Sequence, residues 1–282
     1  MNIINLSLNP AFEKAKIDVD AQGMFELTKS NYDVIDAVLK AKNTYVKTRE
    51  NGDKIDDAEN YFQVLMERHP VPEGSPLLPQ FTEKEWQDLV VAINSANSTR
   101  SSKEACEIMG AYLKEKCGDF TSDLVNPSAL YVDKFREDFY DREKEKGIKG
   151  TALRQERSLT SKIFRYLEEW VYHGSYYAIY DNVVRALLPY YLARQNVPFK
   201  DYKSFLKDNY RESHAFFLKS DMEYTDFYKL WETVLKTFSG LNSHQLDRIL
   251  WYGYKNDAIR MAVAPYLAYA LCKDPRKKTP RD

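Results

Sequence analysis

Cysteine is scarce in this chain, with three in 282 residues. Cys106, Cys117 and Cys272 are an odd number of thiols with no CxxC pair, which leaves no disulfide framework and no zinc ligand set. Such usage points to a reducing, cytoplasmic setting. The four histidines (His69, His173, His214 and His244) lie far apart without an HExxH, so no metal site is expected. Glycine is equally thin, at ten residues. The chain holds no GxGxxG, no GxxxxGK[ST] and no GxSxG, which removes the dinucleotide fold, the phosphate loop and the nucleophile elbow. An Asp-rich calcium loop is missing too, and no cofactor is expected. No apolar run approaches the roughly 18 residues that cross a bilayer. The opening MNIINLSLNPAFEKAK lacks the basic-then-apolar layout of a secretory leader, so no membrane partner is expected. Convincing strand pairs and repeats of fixed period are absent as well.

What remains is helix. Hydrophobic content of 44% and charged content of 29% describe an ordinary globular chain. Val34, Ile35, Val38 and Leu39 share one face of a helix over Asn31–Lys42, and Phe62, Leu65 and Met66 do so over Ala58–Met66. Four of the eleven prolines fall in HPVPEGSPLLPQ, residues 69–80, an irregular connection able to gate a cleft. Thr82 with Glu85, and Ser101 with Glu104, read as capping boxes. Gly118 reads as a helix end, and Asn126-Pro127 as the next start. Further helices are expected near 182–195, 201–218, 225–238, 243–255 and 257–272. The fold class is all-α, in two helical lobes with little or no sheet.

Charge divides the chain. Residues 1–147 hold 19 Lys/Arg against 27 Asp/Glu, and residues 148–282 hold 22 against 15. The expected organisation is an acidic lobe over 1–147, a basic lobe over 148–272 and a mobile basic tail over 273–282. Seventeen of the 21 tyrosines lie after residue 125, where they serve cores and binding clefts alike. The helix at 133–145 interleaves six carboxylates with Lys134, Arg136, Arg142, Lys144 and Lys146, which makes it a solvated face. In NSHQLDRILWYGYK, residues 242–255, Asp247 and Arg248 read as an internal ion pair and Trp251 as core.

The stretch RSLTSKIFRYLEEWVYHGSYYAIYDN, residues 157–182, concentrates the unusual features. A polar cluster runs into an aromatic helix, His173-Gly174-Ser175 breaks it, and Tyr180-Asp181 restarts it. Lys162 sits near the first helix start and Asp181 at the next, nineteen positions on. In this spacing, over roughly residues 147–195, the segment resembles the helix-hairpin-helix DNA glycosylases, particularly the 8-oxoguanine DNA glycosylase branch. That family places a lysine just after a tight hairpin and an aspartate 18 or 19 residues later. Here Ser158-Leu159-Thr160-Ser161 stands at the hairpin. Leu159 fits its buried position, and Ser158 and Thr160 replace the two glycines. Val183 stands where the family has a histidine.

The resemblance implies a catalytic pair. Asp181 would stabilise positive charge building on the sugar as the N-glycosidic bond breaks. Lys162 would be the amine nucleophile, provided its ordinary pKa of about 10.4 is depressed. Asp181 equally reads as an N-cap. Lys149, Arg154, Arg157, Ser158, Thr160, Ser161, Arg165 and Arg185 would face DNA phosphates. His173, Tyr176, Tyr177 and Tyr180 would wall a pocket for the extruded base, and Trp170 reads as core. The expected function is a monomeric DNA glycosylase acting on a damaged or modified base, with or without lyase activity, in repair or in phage defence. The alternative is a non-catalytic helical interaction or defence module on a degenerate scaffold.

Overall fold

The computed structural model describes residue 12 and residues 14–43, 58–71, 78–97, 101–147, 153–238, 240–254 and 257–272. Among these the chain is all-α. Its helices are α1 (Lys29–Asn43), α2 (Ala58–Arg68), α3 (Glu83–Asn97), α4 (Lys103–Glu115), α5 (Cys117–Val125), α6 (Ala129–Glu145) and α7 (Leu153–Tyr172). There follow α8 (Asn182–Arg194), α9 (Phe199–Tyr202), α10 (Tyr210–Ser213), α11 (Tyr224–Thr237), α12 (Ser243–Tyr254) and α13 (Ala258–Cys272). The only extended pairings among the described residues are two isolated antiparallel bridges, Val19 with Phe25 and Leu206 with Leu218. Residues 1–8 and the centre of the proline-rich loop, residues 72–77, lie outside the described residues.

The chain folds as two compact units, one of residues 1–44 with 181–282 and one of residues 45–180. The charge-based lobes 1–147 and 148–272 therefore do not coincide with the packing units. Counted by unit, 45–180 carries 19 Lys/Arg and 24 Asp/Glu, and the other carries 22 and 18, so the polarity is milder than the halves suggest. The tail 273–282 lies outside the described residues.

In the unit 45–180, the expected capping box opens α3. Glu85 accepts from the Thr82 amide at 2.8 Å, and the Glu85 amide donates to Thr82 Oγ1 at 3.3 Å. The Thr82 amide bond, the hydroxyl bond and His69 at 3.0 Å together pull the Glu85 carboxyl down to about 2. For α4 the cap is Ser102 rather than Ser101, accepting from the Ala105 amide at 3.0 Å. The break expected at Gly118 falls at Lys116, and Gly118 lies inside α5. Helix α3 packs on α4, and a Cβ at Gly110 would sit 2.5 Å from the backbone of Gln87, so only glycine allows this approach. A chain of rings, Phe135, Phe120, Phe164 and Tyr177, fills the centre of this unit with successive centroids 4.7–5.4 Å apart. The acidic helix α6 is not solvated all round, because Asp133, Arg136 and Glu143 are buried alongside Val132, Phe135 and Phe139.

Asp123 on α5 makes a pH prediction. Its carboxyl is raised from 3.8 to about 6, chiefly by burial. The folded state therefore binds this proton more tightly than the unfolded chain. Stability from this group is present below pH 3.8, falls as pH rises towards 6, and is lost above it. Asp123→Asn is expected to raise the unfolding midpoint at pH 7 and leave it nearly unchanged at pH 3.5, as urea titrations at the two pH values would show. An equal shift at both would contradict the assignment.

In the other unit, α8 packs against α11, α12 and α13, and α1 against α12. Val184 and Ala186 through Leu188 of α8 are buried, as are Tyr190, Tyr191 and Leu192, so the helix is apolar nearly all round. Polar bonds hold the early segment onto these later helices. The Phe25 amide donates to Tyr254 Oη at 2.7 Å, and Tyr191 Oη donates to the Phe25 carbonyl at 2.8 Å. Burial raises the Tyr254 hydroxyl to about 12, which keeps it neutral. Asn31 on α1 accepts from the Asp18 amide at 2.8 Å and donates to the Asp18 and Glu26 carbonyls, both at 2.7 Å. The helix expected over 201–218 is instead the short α9, a 3₁₀ turn at Lys203–Phe205, and α10. Asn242 caps α12, accepting from the Gln245 amide at 2.9 Å. Arg248 pairs with Asp36 at 2.6 Å, Asp247 is buried, and Trp251 is core as expected.

Candidate active site

The residues surrounding Lys162 differ from the sequence expectation in one decisive way. Helix α7 starts at Leu153, so Lys162 is the tenth of its 20 residues and not near its start. Ser158 through Ser161 form no turn; they are a helical stretch. The cause is local. Leu159, Ile163, Phe164 and Leu167 recur at helical spacing and are all buried, so the apolar stripe runs back through SLTSK. With serine and threonine where the resembled hairpin has glycine, nothing favours leaving the helical basin.

Burial along α7 is deep. Thr160 and Ser161 are fully buried, and Lys162 is 1% exposed. The Lys162 amine donates to Ser158 Oγ at 3.1 Å, one turn earlier. Arg165 is buried and forms an ion pair with Glu169, and its guanidinium lies 5.0 Å over the Tyr166 ring. Thr160, Ser161 and Arg165 are thus interior side chains, contrary to a phosphate-facing role. Ser158 and Arg157 are half-buried. Lys149 and the Arg154 side chain lie outside the described residues. Trp170, expected in the core, is partly exposed and stacks on Phe62 and Tyr166.

The break after α7 is where the sequence placed it. His173 takes a left-handed φ of 52° and is exposed. The segment 173–180 carries no helix and is held by α7 itself. The Gly174 amide donates to the Glu168 carbonyl at 3.1 Å. The Tyr176 amide donates to both Glu168 carboxylate oxygens, at 2.9 and 3.0 Å, and the Tyr177 amide to Oε2 at 2.9 Å. A Cβ at Gly174 would lie 2.6 Å from Glu168, so this crossing requires glycine. Farther along, the Tyr180 amide donates to Ser161 Oγ at 3.0 Å.

Of the expected pocket tyrosines, Tyr177 and Tyr180 are core side chains, at 0% and 2% exposure. Tyr177 Oη donates to the Asp123 carbonyl at 2.8 Å, and burial pushes this hydroxyl far up. Tyr176 is half-buried, and its oxygen accepts from the Ala129 amide at 3.2 Å. These two rings serve packing first, because the segment carrying them is pinned flat on α7.

Asp181 opens the other compact unit and behaves as the sequence expected of an N-cap. Its Oδ1 accepts from the Val183 and Val184 amides at 2.9 and 3.2 Å, and the residue is partly exposed. Arg185 turns its guanidinium to the protein. Nε and Nη2 donate to the Leu218 carbonyl at 3.0 and 2.9 Å, and Nη1 donates to Asn182 at 2.8 Å.

Sequence reasoning missed Glu168 and the inward use of Ser161. The signal that was there is an acidic residue six positions before the only glycine of the break. Among the described residues there is no group of three or more His, Cys, Asp or Glu able to hold a metal ion. No described helix is long and apolar enough to cross a membrane. Compared with known proteins, the chain matches no family model, no curated sequence and no solved structure.

Proposed function

We propose that this chain is a DNA glycosylase acting on a damaged or modified base, with Lys162 as amine and Asp181 as acid. The observation that carries the reading is the bond from the Tyr180 amide to Ser161 Oγ at 3.0 Å. Ser161 immediately precedes Lys162, and Tyr180 immediately precedes Asp181. One bond across nineteen positions thereby ties the residue before Lys162 to the residue before Asp181. Lys162 is 1% exposed and its amine is bonded to Ser158 Oγ, so this reading requires the amine to become accessible when DNA binds.

In this chemistry the lysine amine, after giving up a proton, attacks the sugar carbon. The electron pair of the C–N bond leaves with the base, which takes up a proton. The Asp181 carboxylate offsets the positive charge that develops on the sugar. Where water attacks instead of the amine, Asp181 is the main catalyst. A DNA partner, a monomeric state and a cytoplasmic setting belong to this proposal. The last rests on the three cysteines, an odd number with no CxxC pair.

The test uses duplexes carrying an abasic site, 8-oxoguanine or uracil, with borohydride present. The expected result is base release and a covalent adduct that Lys162→Gln abolishes, with release slowed about 10²- to 10³-fold in Asp181→Asn. Folding of each variant is checked by circular dichroism. A folded wild-type protein that neither releases base nor forms adduct across the panel would remove the enzyme reading. The second reading, a non-catalytic helical module, is favoured by the unbroken helix through Ser158–Ser161, which presents no hairpin amides to a phosphate. Salt-sensitive DNA retention without base release would support that module.

A further inference from the structure

Helix α13 carries one charged residue, Arg260, and that side chain is fully buried. From Met261 to Cys272 it has no charged residue and no Ser, Thr, Asn or Gln. A helix that is apolar all round belongs in a core or against a membrane. Yet α13 is not covered on every side. Of the seven large apolar side chains exposed among the described residues, three are here: Ile259 at 57%, Tyr266 at 50% and Leu271 at 40%. We propose that this face of α13 docks on an anionic lipid surface, with the basic stretch that follows it as the electrostatic half of the attachment.

The face follows from the packing. Arg260, Ala264, Pro265 and Ala268 are buried, and α13 lies against α8. The Phe216 amide donates to the Pro265 carbonyl at 3.2 Å, and the Tyr269 ring meets His214 and Phe216 with centroids 4.8 and 5.8 Å apart. On the outer side, Ile259, Ala262, Val263, Tyr266 and Ala270 recur at helical spacing, and each is exposed or half-buried. Single exposed apolar residues need no explanation, but a continuous stripe does. Its tyrosine has the ring and hydroxyl that suit the level of lipid headgroups.

Charge identifies the occupant. KDPRKKTPRD, residues 273–282, follows α13 directly, with five Lys/Arg against two Asp. Cys272 Sγ lies 2.6 Å from Tyr202 Oη, which ties that end of α13 to α9. Lys200 and Lys203 are exposed on either side of Tyr202, and Asp201 lies between them. Seven cations against three carboxylates thus belong to the Cys272 end of the helix or follow it directly. Each Lys or Arg near an anionic bilayer strengthens binding about fivefold. An apolar stripe and a polybasic stretch together are the two signals that stable surface attachment needs. A second copy of this chain fits the face less well. The 15 residues of α13 make a strip about 22 Å long and one helix wide, a few hundred Å² against the roughly 800 Å² per partner of a standard interface. Surface attachment needs neither a leader nor a helix long enough to cross a bilayer, so it differs from the sequence expectation of no membrane partner.

The test sediments the full chain with vesicles of phosphatidylcholine alone, or of phosphatidylcholine with about 30% phosphatidylserine. Wild type is expected to bind the phosphatidylserine vesicles at least about tenfold more tightly, and to lose most of that preference in about 0.5 M salt. Ile259→Gln combined with Tyr266→Gln is expected to weaken binding at least about tenfold and to leave the unfolding midpoint nearly unchanged, because both side chains face solvent. Glutamine adds no charge, so this loss reports on the apolar face and not on repulsion. Replacing Arg276, Lys277 and Lys278 together by Gln is expected to weaken binding about 100-fold. Wild type that binds neither vesicle ends the proposal. Binding that survives the Ile259 and Tyr266 changes leaves the basic stretch alone as the attachment and removes the face from it. A dimer in light scattering that the Ile259 and Tyr266 changes dissociate makes the face an interface between copies instead. Retention on single-stranded DNA without vesicle binding assigns the basic stretch to nucleic acid and overturns the lipid surface.

Discussion

Glu168→Ala is expected to lower unfolding stability by about 3–5 kcal/mol, an effect large enough to shift a urea midpoint by more than 1 M. The loss has two parts. The first is the removal of hydrogen bonds to a charged acceptor, each worth about 1.5–3 kcal/mol. The second is the desolvation left behind, since the Tyr176 and Tyr177 amides would lose the carboxylate that now satisfies them. Tyr177 is fully buried, so water does not readily replace the missing partner. Glu168→Gln separates the parts. Its amide oxygen, placed where Oε2 now accepts from both amides, carries no charge, and its NH2 faces the Tyr176 amide where Oε1 now accepts, so an intermediate loss is expected. Equilibrium unfolding of the three proteins by circular dichroism measures this directly. A loss below about 1 kcal/mol for the alanine variant would show that the segment 173–180 finds its partners elsewhere.

Arg260→Leu is expected to cost a comparable 3–5 kcal/mol, roughly the penalty for stranding one member of a buried ion pair. Arg260 is fully buried at the start of α13. Its Nε donates to Asp257 at 2.8 Å and its Nη1 to the Gly23 carbonyl at 2.8 Å. The guanidinium also lies 5.0 Å over the Phe25 ring and 5.8 Å over Tyr254. Leucine would fill much of the volume but leave a carboxylate without its cation and a carbonyl without that donor. Adding Asp257→Asn, which keeps the N-cap to the Arg260 amide, is expected to recover part of the loss. The same variant should speed hydrogen exchange in residues 18–28, because Arg260 ties that segment to α13. A destabilised protein with unchanged exchange there would contradict this account.

Much of the helical layout was legible from short-range signals. The capping box at Thr82 and Glu85, the break at His173-Gly174-Ser175 and the cap at Asp181 are each set by residues within four positions of one another. Misreadings occurred where two local signals competed. Gly118 has the residue type of a helix end, yet α5 runs through it. Ser158-Leu159-Thr160-Ser161 has the polarity of a loop, yet the stripe of Leu159, Ile163 and Phe164 keeps it helical. The candidate site was half legible for the same reason. The lysine, the aspartate and their spacing are properties of the chain. The burial of Lys162, the inward turn of Ser161 and the removal of Tyr177 and Tyr180 into the core are properties of packing.

By itself, then, the sequence determined that this protein is helical, where most of its helices begin and end, and which acid opens α8. Those features follow from periodicity and capping, which act over one or two turns. Only the tertiary structure decided that residues 1–44 join residues 181–282, that SLTSK lies within a helix, and that Glu168 and Ser161 hold the segment leading to Asp181. The bonds that join the first of these, such as Phe25 to Tyr254 and Arg260 to Gly23, link residues more than 200 positions apart. Neither periodicity nor capping has any reach over that distance, so the choice of partner is made only when the chain is packed.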